Sequence, residues 1–218
     1  MTSPQAGVHP NLKAIVEKHR IHPFRRPIAD HTKKAFNDVQ RASEPWNGKF
    51  ILDAGCGTGD SSRQLASLFP THLIVGIDKS HHRLTKERAT ALPSNLRLVR
   101  ADLVDFYRLA ATAAWSPQQH FILYPNPWPK VGHLKRRWHG SPVLPDLLCV
   151  GRQLTLRTNW HLYAKEFSEA LTAYGYAPRY SRYHPADAPL TPFEDKYHKS
   201  GQPLWEVTAE LANRRPER

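Results

Sequence analysis

The 218-residue sequence predicts an α/β fold: a mostly parallel sheet with helices on both faces. Three observations carry that expectation. Short apolar runs alternate with helical stretches. Three successive runs end at an aspartate. A glycine-rich turn joins the first run to the helix after it.

The elements follow in chain order. Residues 1–48 read as a basic N-terminal extension. Between Lys13 and Lys34 lie seven Lys/Arg and two acids, and four prolines fall between Pro4 and Pro27. Asp30 to Ala42 reads as a helix with Ala35, Phe36 and Val39 on one side. Two roles suit this extension: an N-terminal helix packing on a core, or a basic arm ordering on a polyanion. The apolar run Lys49–Asp53 is the first strand, and a helix follows from Asp60 to Phe69. His72–Asp78 is the second strand, and Ser80 opens a helix reaching Leu92 as its N-cap. Asn95–Asp102 and Phe121–Tyr124 are the third and fourth strands. Gln153–Arg157 is the fifth, before a helix that aligns Phe167, Leu171 and Tyr174 and that Gly175 caps.

Composition narrows the function. The net charge of +12 favours a polyanion (RNA, DNA, an acidic membrane or an acidic protein) over cationic ligands. No apolar stretch reaches the roughly 18 residues of a membrane helix, and Met1–Asn11 lacks the apolar core of a secretory signal. Cys56 and Cys149 make neither a disulfide framework nor a four-ligand zinc site. A cytoplasmic, reduced protein is expected. None of the 13 histidines forms an H-x₃-H pair with a further ligand, so no metal is expected.

In a parallel sheet, ligands bind beyond the carboxyl ends of the strands, where Asp53, Asp78 and Asp102 converge. Gly55, Gly57 and Gly59 let the backbone approach a ligand closely. A dinucleotide fingerprint would place its third glycine at position 60, which is Asp60. An acid there suits a pyrophosphate poorly. A cationic amino-acid head, a ribose diol held by Asp78 and an adenine amino group near Asp102 together describe S-adenosylmethionine.

The glycine loop resembles motif I of class I S-adenosylmethionine-dependent methyltransferases. Tyr124-Pro-Asn-Pro-Trp-Pro-Lys130, followed by His133, Lys135, Arg136 and Arg137, is similar to the signature of the tRNA (guanine-N7)-methyltransferases. Thr191-Pro-Phe-Glu194 with Gly201 resembles that family's Thr-x-x-Glu segment. The similarity runs from about Asn47 to Val207. It implies a Rossmann-like, mostly parallel seven-stranded sheet, with a methyltransferase domain over 49–210 and a C-terminal tail over 211–218. It also implies S-adenosylmethionine as cofactor and methylation of guanine N7 in tRNA, by a monomer or homodimer with no membrane association.

Asn126 then stands where substrate meets cofactor, as the catalytic candidate and as a cofactor-binding residue. Trp128 offers a stacking face for a base, and Lys130, Lys135, Arg136 and Arg137 offer charge to phosphates. No acid occurs from Phe106 to Pro145. Thr191 and Glu194 would engage the guanine edge, although Thr-x-x-Glu is also a helix capping box. Two positions depart from the family pattern. Asn126 replaces an acid in the Pro-x-Pro-Trp motif, and Asn159 replaces the aspartate of Thr-Asp after the fifth strand. A neutral acceptor is about half as strong as a carboxylate. Those changes keep open a non-catalytic RNA-binding relative, or a methyltransferase for another RNA base or a small molecule.

Overall fold

A computed structural model describes residues 5–86, 91–185 and 189–211. The sheet has seven strands in the order β3-β2-β1-β4-β5-β7-β6. They are β1 Phe50–Ala54, β2 Leu73–Asp78, β3 Leu96–Arg100, β4 Gln119–Leu123, β5 Gln153–Thr158, β6 Arg179–Tyr183 and β7 Leu204–Glu210. β1 to β5 run parallel, and β7 inserts antiparallel between β5 and β6. The helices are α1 Leu12–Ile21, α2 Asp30–Ser43, α3 Asp60–Leu68, α4 His81–Leu84, α5 Leu103–Thr112, α6 Leu144–Leu148, α7 His161–Ala173 and α8 Pro192–Lys199.

Every residue of β1 and β2 is buried, as central parallel strands covered on both faces require. The two-residue strand period divides them between two cores. Leu52, Leu73, Val75 and Ile77 join a large cluster with Phe106, Phe167 and Leu147. Ile51 and Ile74 join a smaller one with Leu65, Ala66, Phe121 and Leu190.

The five predicted strands are present. The sheet's antiparallel edge was not readable from periodicity. β6 exposes Arg179, Ser181 and Arg182, so its apolar signal is thin. α4 ends at Leu84, shorter than the expected 80–92 helix, and residues 87–90 lie outside the described residues. Its N-cap is as expected: the Ser80 side chain accepts from the Arg83 N–H.

The basic extension packs as part of the body. Leu12, Val16, Phe36 and Val39 are each at most 3% exposed and belong to the larger core cluster. Lys13, Lys18, Arg20, Lys33, Lys34 and Arg41 thus lie on helices whose other faces are core, while Arg25 and Arg26 fall between the two helices.

Candidate active site

The glycine loop joins β1 to α3 at the carboxyl edge of the sheet. Gly55 N–H and Cys56 N–H both donate to the Ile77 carbonyl, at 2.8 and 3.0 Å, which ties the loop to β2. Gly55, Gly57 and Gly59 have φ of 82°, 60° and 80°, a region that L side chains rarely adopt. A Cβ at Gly57 would project into open space, whereas one at Gly59 would meet Leu98 Cδ1 at 2.8 Å. The first two glycines thus leave a bare backbone cradle, and the third lets α3 approach β3.

The three acids behave differently. Asp53 is 1% exposed, and its Oδ2 accepts from Ser61 Oγ at 2.6 Å and Ser62 Oγ at 2.7 Å. Burial raises its carboxyl, against the two serine hydrogen bonds. In this conformation Asp53 holds α3 onto β1. Asp78 stands at the end of β2, accepting from Gly57 N–H at 3.1 Å and Ser80 N–H at 2.8 Å. It therefore shapes the cradle directly. Asp102 lies two residues past β3 and caps α5, its Oδ1 accepting from Val104 N–H at 2.8 Å. Its Oδ2 is 3.4 Å from Arg26 Nη2.

Arg26 belongs to the leader. It donates to Asp105 Oδ1 at 2.7 Å, and Asp105 also accepts from Ala29 N–H. The leader thereby walls a cleft of about 450 Å³ lined by Arg26, His31, Lys79, Ala101 and Asp102. This wall carried no signal in the sequence, because Arg26 and Asp105 are 79 residues apart.

The loop after β4 begins with Tyr124 at φ 50° and includes Trp128 at φ 47°. Asn126 is exposed, and its Oδ1 accepts from Trp128 N–H at 3.2 Å, closing an Asx turn. Arg136 lies over the Trp128 ring at 4.8 Å, and His133 meets the ring edge at 5.6 Å. Lys130, Lys135 and Arg136 are exposed. Arg137 corrects the expectation of a phosphate contact. It is 0% exposed, with Nη1 on Glu166 Oε2 at 2.6 Å, and it donates to the Trp128 carbonyl. Burial beside a carboxylate removes it from any surface.

Asn159 follows β5 and donates to Gln202 Oε1 at 3.0 Å, before β7. Thr191 caps α8, its Oγ1 accepting from Glu194 N–H at 2.9 Å. Glu194 also departs from expectation, being 0% exposed and held within the protein. Its Oε2 accepts from Tyr124 OH at 3.2 Å and Arg157 Nη1 at 3.4 Å. Its Oε1 accepts from Tyr183 OH and Leu190 N–H, each at 3.2 Å. In this conformation the carboxylate is a buried hub joining the residue after β4 to β5, β6 and α8, not an open acceptor. Its partners Tyr124, Arg157 and Tyr183, and Glu166 beside Arg137, carried no spacing signal in the sequence.

Other groups are poor candidates for the chemistry. Burial pushes the Cys56 thiol far above its usual range, so it is no nucleophile. Among the described residues no three His, Cys, Asp or Glu are grouped to hold a metal, and no helix is long and apolar enough to cross a membrane.

The strand order, the bare glycine cradle and Asp78 at the end of β2 define a class I methyltransferase, whose methyl donor is S-adenosylmethionine. Known proteins agree. A family model described as "Putative methyltransferase" matches residues 47–207. A tRNA (guanine-N(7)-)-methyltransferase of Nitrosospira multiformis is 30% identical, over 72% of this chain and 72% of its own. One of Chromobacterium violaceum is 33% identical, over 72% of this chain and 73% of its own. The chain belongs to the tRNA (guanine-N7)-methyltransferase family. Among solved structures, the 16S rRNA methyltransferase KamB shares the fold at TM-score 0.55 and 19% identity, over 86% of this chain and 95% of its own. The antibiotic-resistance methyltransferase Kmr does so at TM-score 0.54 and 19% identity, over 80% and 92%.

Proposed function

We propose that this protein methylates N7 of a guanine in tRNA, with S-adenosylmethionine as donor. The observation that carries the reading is its likeness to tRNA (guanine-N(7)-)-methyltransferases along 72% of its length, a stretch that includes the Pro-Asn-Pro-Trp-Pro-Lys loop at the carboxyl end of β4.

S-adenosylmethionine, when bound, supplies an electrophilic methyl group on a cationic sulfur. Asp78 would hold the ribose hydroxyls, and the Gly55–Gly59 backbone would receive the amino-acid end. Asp53 would support that end from behind by fixing α3. Asp102 would accept from the adenine edge, sharing its carboxylate with Arg26.

Guanine N7 carries an in-plane lone pair and no proton, so no general base is needed. The chain's task is alignment, which can contribute up to about 7–11 kcal/mol to lowering a barrier. Asn126, Trp128 and Asn159 would receive the base, with Asn126 and Asn159 as neutral acceptors. Lys130, Lys135 and Arg136 would neutralise phosphates. Thr191 and Glu194 would shape the guanine side through the Tyr124 contact. The work would take place in the cytoplasm, by a monomer or homodimer.

Incubation with tRNA and methyl-labelled S-adenosylmethionine, then digestion to nucleosides, should yield labelled 7-methylguanosine. RNA binding without methyl transfer to any RNA would instead identify a non-catalytic RNA-binding relative. Label in another base or a small molecule would redirect the substrate.

A further inference from the structure

We propose that Arg137 and Glu166, together with the N-terminal segment around Gln5 and His9, are positioning residues that hold the Trp128–Lys130 stretch in its substrate-receiving shape. The inference rests on the reading that this loop receives the guanine.

Trp128 is fixed at both backbone polar groups. Its N–H is held by Asn126 Oδ1 at 3.2 Å. Its carbonyl accepts from Arg137 Nε at 3.2 Å and Nη2 at 3.1 Å. Nη2 also reaches the Lys130 carbonyl at 3.4 Å. At φ 47° this tryptophan is in a conformation that needs such support.

The guanidinium is in turn held from behind. Nη1 donates to Glu166 Oε2 at 2.6 Å, and Nη2 to Gln5 Oε1 at 3.1 Å. The Trp160 ring lies 5.0 Å from its carbon. Glu166 Oε2 also takes His139 Nε2 at 2.9 Å, and Oε1 takes His9 N–H at 2.8 Å together with the Gln5 amide. Arg137, His139 and Glu166 are all 0% exposed. Burial alone would raise the Glu166 carboxyl. The His139 hydrogen bond and charge, the His9 N–H and the Gln5 amide outweigh it and hold the carboxyl at about 2.

A planar fork with fixed donor directions can reach two carbonyls, a carboxylate and an amide at once. A lysine ammonium cannot. Gln5 is thereby connected, across 132 residues, to the arginine that holds the loop presenting Trp128.

The test compares wild type with Glu166→Gln, Arg137→Lys and Gln5→Ala. Both charge-site variants should lower kcat for tRNA methylation about 10- to 100-fold, the range a misplaced reacting group produces, while the dissociation constant for S-adenosylmethionine moves less than about threefold. The ¹⁵N indole resonance of Trp128, assigned with Trp128→Phe, should shift or broaden in these variants while that of Trp115 stays. Gln5→Ala should move the Trp128 resonance in the same sense without leaving a buried charge unpaired, so it remains informative if Arg137→Lys does not fold. An unmoved Trp128 resonance in folded Glu166→Gln and Gln5→Ala overturns the proposal, whatever the activity. If the wild type fails to methylate tRNA, the substrate reading falls, and the resonance still decides the clamp.

Discussion

The Tyr124 hydroxyl donates to Glu194 Oε2 at 3.2 Å, joining the residue just past β4 to the first turn of α8. Arg157 of β5 and Tyr183 of β6 meet the same carboxylate. The site's floor is thus braced across three strands of the sheet and a helix that lies late in the chain.

That brace gives the first prediction. Glu194→Ala leaves Arg157 with Glu206 at 2.8 Å but strands the two tyrosine hydroxyls and Leu190 N–H. It should destabilise the protein by about 3 kcal/mol, and Tyr124→Phe by about 1 kcal/mol. Urea unfolding measures both. Unchanged stability in Glu194→Ala, with a raised KM for tRNA, would instead make Glu194 a direct substrate ligand.

Asp78→Ala should weaken S-adenosylmethionine binding by about 10- to 100-fold, because it removes a charged acceptor and loosens Gly57. Calorimetry would read it. Asp53→Asn should act first on the thermal midpoint, because its carboxylate is spent on Ser61 and Ser62.

Lys130, Lys135 and Arg136 stand exposed while Arg137 does not. Alanine at each of the first three should lower the log–log salt slope of tRNA binding by about 0.7–0.9 for each phosphate that is no longer neutralised. Filter binding across a salt series tests this. Arg137→Ala should lower folding stability instead, since it leaves Glu166 buried without its 2.6 Å partner.

Stability should fall as pH drops from about 6.5 toward 4. His120 is fully buried between Tyr107 OH at 2.9 Å and the Val150 carbonyl at 3.1 Å. Burial pushes its imidazole down from 6.5 to about 4, against the Val150 hydrogen bond. Between those values the unfolded chain binds the proton and the folded chain does not, so acid favours unfolding there, by up to about 3 kcal/mol. Urea midpoints should fall across that window in wild type and more shallowly in His120→Gln. Equal slopes would assign the loss to other groups, among them His139, which burial also lowers.

The parallel half of the fold was legible because its signal is local. Each of β1 to β5 is a short apolar run, the glycines mark a turn that needs positive φ, and Ser80 and Gly175 punctuate helices. β6 and β7 were not legible by pattern. Their polar, half-exposed residues alternate too weakly, and resemblance alone implied seven strands.

The sequence by itself determined which residues gather at the carboxyl edge: the glycine loop, Asp78, Asp102 and the Asn126–Trp128 turn. Tertiary structure alone decided which charges remain available there. Arg136 and Arg137 are neighbours of the same type, yet one lies exposed over Trp128 and the other is buried on Glu166. Glu194 looked like a substrate acid and is a closed hub. Charge is written in the sequence, but its accessibility depends on partners 29 and 70 residues away. A buried ion persists only where folding brings such partners to it. The +12 excess therefore marks an anionic partner only through the cations that the fold leaves uncovered.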